Sequence, residues 1–347
     1  MSKSVKFIGL IGLILLIGLI SNRIKAPSSV FYNLPAKKLP TTTLFLAGDI
    51  MLSRNVAKKM YQAKNFILPF QKVAAEINKT DIAFANLESP FNDTGGHAVD
   101  NSLVFNADPG SLEGLKFAGF DVLSTANNHA FDQGLTGIEF TKNLLKKNNI
   151  LAVGTFLDGE PLSASLPHAI SKNGTNYSFL SYTYASHNDG GITHDQHVSD
   201  FSLQDHLPDE IEAEKRHGAD IVIVNMHAGV EYTRKPTQAQ INFAHAAIDA
   251  GADLVVGEHP HWIQTVEQYK GKWIFYSLGN FVFDQMWSQE TREGLTVKIS
   301  FANKEIKKIE LAPVIIDDFC CARWADLKET TAILNKINLT SDILFQK

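Results

Sequence analysis

Apolar runs in this chain stop abruptly at residues that carry oxygen or nitrogen donors. TLFLAGD ends at Asp49, DIAFANLE at Glu88, DVLSTANNH at His129, DIVIVNMH at His227 and DLVVGEHPH at His261. Four of the runs open with an aspartate behind a short turn: Asp81, Asp121, Asp220 and Asp253. Continuous apolar runs of this length, bounded by turn residues, predict strands buried on both faces. Helical patterns lie between them, through Ala57 and Ile77, at Leu112 to Ala118, Gly137 to Lys147, Leu207 to His217 and Thr237 to Ala250, and a further strand is predicted at Tyr177 to Tyr184. This alternation predicts a layered α/β architecture. From Trp262 onward only strands are predicted: WIQTVEQY, WIFYSLGNF, GLTVKISF and EIKKIELAPVII, read as antiparallel hairpins that close the sheet or build a second one. The carboxyl ends of parallel strands lie side by side, so donors far apart in sequence can converge there on one ligand.

Length and composition narrow the setting. The chain has 347 residues and a net charge of −5, with no basic stripe, which argues against a nucleic-acid partner. Phe7 to Ile20 is an unbroken apolar and glycine run flanked by Lys3, Lys6, Arg23 and Lys25. Residues 1–24 are therefore expected to be a single membrane anchor, with the bulk of the chain outside the cytoplasm, in preference to a cleaved signal peptide that would release a secreted protein. Residues 25–41 read as a linker, 42–316 as one catalytic-type domain and 317–347 as a C-terminal tail. The only two cysteines, Cys320 and Cys321, are adjacent and read as semi-buried thiols.

Among candidate site residues, His259-Pro260-His261 is the sharpest local element. Alternate residues around a stiff proline can face one ion. Asp49, Glu88, Asn128 and His227 each sit just past a separate apolar run, and a mixed oxygen and nitrogen set suits Mn, Fe or Zn. Any one of these could be a strand-end residue capping a turn. Arg234 has the fork to grip a carboxylate or phosphate, and Asn280 stands at the end of the Trp273 run. No Walker-type loop, dinucleotide fingerprint or serine elbow is present.

Gly48-Asp49, Asn86-Leu87-Glu88, Ala126-Asn127-Asn128-His129-Ala130 with Asp132, His227 with Glu231-Tyr232, Gly257 to His261, and Tyr276-Ser277-Leu278-Gly279-Asn280-Phe281 together resemble the CapA family. This bacterial family of capsule and poly-γ-glutamate biosynthesis belongs to the calcineurin-like metallophosphoesterase superfamily. The match runs in order from about Thr42 to Phe283. It implies a four-layer α/β/β/α sandwich with one or two divalent ions at the strand ends. Glu88 would bridge, with Asn128, His227 and His259 completing one site and Asp49 and His261 serving the other. His129, oriented by Asp132, would give a proton to a leaving group, and Asn86, Glu231, Tyr232, Arg234 and Asn280 would meet substrate. The chain departs from the superfamily at Met51, where a histidine is usual, at Ala130, and at Ala228, where related chains often carry tryptophan.

The resemblance implies a membrane-anchored protein that hydrolyses a phosphate ester or an amide. Its implied partners are an anionic surface polymer, poly-γ-glutamate or capsule, and the polymer synthase complex in the membrane. The alternatives are a non-catalytic accessory that binds the polymer or its synthase, and a generic exported phosphoesterase.

Overall fold

The structure is a computed structural model that describes residues 41–160, 169–185, 187–188 and 194–337. The expected anchor and nearly all of the linker lie outside the described residues, within which no helix is long and apolar enough to cross a membrane. In chain order the strands are β1 (Thr41–Ile50), β2 (Ile82–Leu87), β3 (Val122–Ser124), β4 (Leu151–Val153), β5 (Ala169–Lys172), β6 (Thr175–Thr183), β7 (Ile221–His227), β8 (Leu254–Glu258), β9 (Val266–Tyr269), β10 (Lys272–Phe275), β11 (Asn280–Val282), β12 (Glu293–Ala302), β13 (Glu305–Asp317) and β14 (Cys321–Trp324). The helices are α1 (Arg54–Ala63), α2 (Ala74–Ile77), α3 (Leu112–Ala118), α4 (Gly134–Lys147), α5 (Leu207–Arg216), α6 (Gln238–Ala250) and α7 (Leu327–Lys336).

Two sheets form. One runs β14-β13-β12-β1-β2-β3-β4, with β11 also paired to β1, and the other runs β5-β6-β7-β8-β10-β9. In each, the donor-tipped strands are parallel: β1 to β4 in the first, β6 to β8 in the second. Strand alternation assigns the layers. Leu44, Leu46, Ile82, Phe84, Ile221, Ile223, Leu254 and Val256 point between the sheets. Their neighbours Phe45, Ala83 and Ala85 face α1 to α4 on one outer side, and Val222, Val224 and Val255 face α5 and α6 on the other. The four-layer α/β/β/α sandwich is the observed architecture.

The aspartates that open the runs act as register locks at the amino ends of the strands. Asp81 Oδ2 accepts the Thr43 N–H at 2.8 Å, Asp121 Oδ2 that of Ala83 at 2.9 Å, Asp220 Oδ2 that of Asn176 at 3.0 Å and Asp253 Oδ2 that of Val222 at 3.0 Å. In every case the backbone N–H of the same aspartate donates back to the carbonyl of the residue it holds. Each lock ties the start of one strand to its parallel neighbour, twice in each sheet, which fixes pairing where a slip would turn every side chain to the opposite face.

Three sequence expectations are corrected. The run WIFYSLGNF is two strands in different sheets: β10 ends at Phe275, and the chain crosses between the layers before β11 pairs with β1. The crossing brings backbones so close that a Cβ on Gly48 would lie 1.8 Å from the Gly279 carbonyl oxygen, a contact only glycine permits. Of the expected tail from 317, the described residues, up to 337, carry further elements of the fold. There β14 adds an edge strand, and α7, started by an Asp326/Glu329 capping box, inserts Ile333, Leu334 and Ile337 into the core between the sheets. Finally, Cys320 and Cys321 are joined in a disulfide and are not free thiols. They follow a tight turn in which Asp318 and Phe319 both take left-handed backbone angles.

Candidate metal centre

The inward phase that builds the core also builds the site. Along β2 the inward residues run Ile82, Phe84, Asn86, and Glu88 follows; along β7 they run Ile221, Ile223, Asn225, His227; along β8, Leu254, Val256, Glu258. Apolar side chains fill the lower part of the layer, and at the carboxyl ends the same face turns polar. Asp49, Asn86, Glu88, Asn128, His129, His227, His259, His261 and Asn280 are all buried there.

Asp49, Glu88 and His261 offer ligand atoms within 4.8 Å of one another. Both carboxylate oxygens of Glu88 are buried and receive no hydrogen bond. Such an orphaned carboxylate is costly unless a proton or a cation balances it. Burial, and next the Asp49 carboxylate, push Glu88 well above the ordinary glutamate value. The histidines are tuned the other way: burial and then the neighbouring imidazoles hold His227 and His259 well below their usual value, so both are neutral.

Hydrogen-bond partners aim the rings. Asn280 donates through Nδ2 to Gln285 Oε1 and the Thr291 carbonyl, so its Oδ1 accepts from His261 Nδ1 at 2.9 Å. The lone pair of His261 Nε2 then faces Glu88 Oε1 across 3.9 Å. Asn127 gives its amide to the Leu87 carbonyl and to Asn86 Oδ1, so Asn86 donates to Asp49 Oδ1 at 2.8 Å and to His227 Nδ1 at 3.1 Å. His227 Nε2 sits 2.9 Å from Asn128 Oδ1 and 3.2 Å from His259 Nδ1. Three potential ligand atoms converge there on one point. His259 and His261 reach their positions through left-handed backbone angles, φ 95° and 56°, rare for such residues and typical of sites held by their surroundings. The orphaned Glu88 and the two converging donor sets fit a divalent cation.

A dyad flanks this group. Asp132 Oδ2 holds His129 Nδ1 at 2.6 Å, turning Nε2 toward Glu88 Oε1 at 3.8 Å. Phe105 stacks on the imidazole with centroids 3.8 Å apart, and the Arg54 guanidinium covers the Phe105 ring while pairing with Asp284. Met51 contributes no ligand atom here, because its sulphur accepts the Ser53 N–H and hydroxyl, each at 3.1 Å.

A model of the family described as "Bacterial capsule synthesis protein PGA_cap" matches residues 43–285, the greater part of the chain. The chain belongs to the PGA_cap family. Among curated relatives, the PGA biosynthesis protein CapA of Bacillus subtilis is 32% identical over 300 residues, covering 82% of this chain and 75% of that one. The capsule biosynthesis protein CapA of Bacillus anthracis is 32% identical over 282 residues, covering 80% and 68%. Among solved structures, a phosphatase from Mycoplasma pneumoniae superposes with a TM-score of 0.47 at 12% identity, covering 86% of this chain and 99% of that one.

In this PGA_cap chain the six expected ligands, the His129–Asp132 pair, Asn86 and Asn280 come together. Asn86 and Asn280 brace ligands, as shown above. Tyr232 leans over His261 with ring centroids 6.1 Å apart, at φ 61°, fixed by its N–H to the Pro260 carbonyl. Burial, and then Glu231, push its hydroxyl pKa up. Glu231 is exposed at the same rim. Arg234 turns away from the ligands: its guanidinium lies over Trp262 and reaches Glu290 at 3.5 Å. Sequence reasoning missed Phe105, Arg54 and the buried Asn225–Glu258 pair. Glu258 stood inside the GEHPH run and the inward phase of β8 marks it; Phe105 had no local signal.

Proposed function

We propose that this protein is a metal-dependent hydrolase of the capsule or poly-γ-glutamate pathway, with Mn, Fe or Zn held by Asp49, Glu88, Asn128, His227, His259 and His261. The observation that carries this reading is the orphaned Glu88 carboxylate, toward which His261 Nε2 and the His129–Asp132 dyad are both aimed. A bound divalent cation supplies positive charge that offsets negative charge developing on the scissile group. The chain does the rest. His129, held through Nδ1 by Asp132, is placed to give a proton from Nε2 to the departing oxygen or nitrogen. Phe105 keeps the ring in plane and water off its outer face, and Tyr232 limits solvent above His261. The test is elemental analysis and polymer output for His227→Ala in the full chain. Metal and polymer are expected to disappear together while circular dichroism stays unchanged; metal loss with normal polymer output contradicts the reading.

The apolar run Phe7 to Ile20 supports a second part of the proposal. The protein is anchored in the cell membrane with its domain outside, close to the polymer synthase complex and the anionic polymer. Protease added to intact cells is then expected to remove the domain; a protected domain contradicts this placement.

A further inference from the structure

Beside the metal cluster lies a cavity of about 360 Å³ lined by Tyr184, Phe201, Ala228, Gly229, Thr237 and Ala239, with His194 at its edge. It adjoins the chemistry directly, since the Tyr184 ring that forms one wall lies 4.8 Å, centroid to centroid, from His259. Its walls are fixed. Phe201 stacks flat on the buried Phe243, with centroids 4.0 Å apart. Gly229 takes φ 128° with Gln240 so close that a Cβ would come within 2.7 Å of it, so the backbone there turns without filling the space. Small side chains at Ala228 and Ala239 leave the room. Among the described residues the lining carries no lysine or arginine, and His194 is paired with Asp200 at 2.8 Å. An aromatic-walled space of this kind, in the size range of ligand pockets and without a cationic clamp among the described residues, selects an uncharged group with a flat apolar face.

We propose that this cavity is a subsite for an uncharged, ring-sized substituent joined to the group on which the metal cluster acts. This rests on the metal-centre reading above and goes beyond it by dividing the substrate into an anionic or polar scissile group and a neutral neighbour. The test uses two phosphonates that cannot be hydrolysed, phenylphosphonate and methylphosphonate, titrated calorimetrically into the manganese-loaded full chain. Phenylphosphonate is expected to bind about tenfold tighter, as burial of a ring requires. Ala239→Phe, at an exposed first-turn position of α6, and Ala228→Leu, at a buried lining position, are each expected to abolish that preference while leaving methylphosphonate binding and metal content unchanged. Equal binding of the two phosphonates by the wild type, no binding of either, or a preference that survives in both variants overturns the proposal. A preference for phenylphosphonate in a protein that turns over no ester or amide removes the hydrolase reading and leaves the subsite standing.

Discussion

Glu88→Gln is expected to move metal binding and metal-free stability in opposite directions. With metal, the loss of a charged ligand lowers affinity by at least about 100-fold, more than outer-sphere changes typically cost. Without metal, the buried carboxylate is a burden. Its folded-state pKa is raised above the ordinary value of 4.5, first by burial and then by Asp49, so the folded protein holds that proton more tightly than the unfolded chain does. The corresponding stability is present in full below pH 4.5 and is lost as the pH climbs from there through the raised folded value. Glutamine has the shape of the protonated acid and does not titrate. The metal-free variant is therefore expected to melt a few degrees above the metal-free wild type at pH 7 to 8, with the gap closing toward pH 4. Calorimetric scans of chelated and reloaded protein measure both arms. A metal-free variant that melts below wild type at pH 8 shows that Glu88 is satisfied by some partner other than a cation.

The second large effect is expected at His129. His129→Ala should retain its metal and lose about 10²- to 10⁴-fold in kcat, the range for removing a positioned general acid. Asp132→Asn separates the acid from its support. An asparagine at 2.6 Å from Nδ1 offers either an amide or a carbonyl and no negative charge, so the fall should be smaller than that of His129→Ala. Steady-state kinetics beside elemental analysis reads both. Normal polymer output from a His129→Ala protein that still holds metal would instead favour an accessory that binds the polymer or its synthase without cleaving it.

Much of this site was legible because strands carry a period of two and parallel strands share an end. A run that is apolar up to one donor residue announces both a strand and the side on which it finishes, so Asp49, Glu88, Asn128 and His227 could be placed together before their distances were known. What escaped depends on contacts with no local signature. Phe105 acts through a ring 24 residues further along the sequence. Arg234 has the chemistry of an anion clamp, yet Trp262 and Glu290 claim it first. The crossing at Gly279 looked like continuous strand because backbone proximity to Gly48 leaves no apolar gap to read. The α7 helix lay beyond the last strand of the pattern, and its role as a plug between the sheets is a tertiary fact.

The aspartate locks have a consequence for how the centre keeps its dimensions. Glu88 lies seven positions after Asp81, Asn128 seven after Asp121 and His227 seven after Asp220, in two different sheets. Each lock fixes the base of its segment against the neighbouring strand, so the count of residues from base to tip sets where the donor stands. An inserted residue between base and tip would raise the donor by about 3.3 Å and turn it to the opposite face. Substitutions can retune this centre, but its length standard tolerates no insertion.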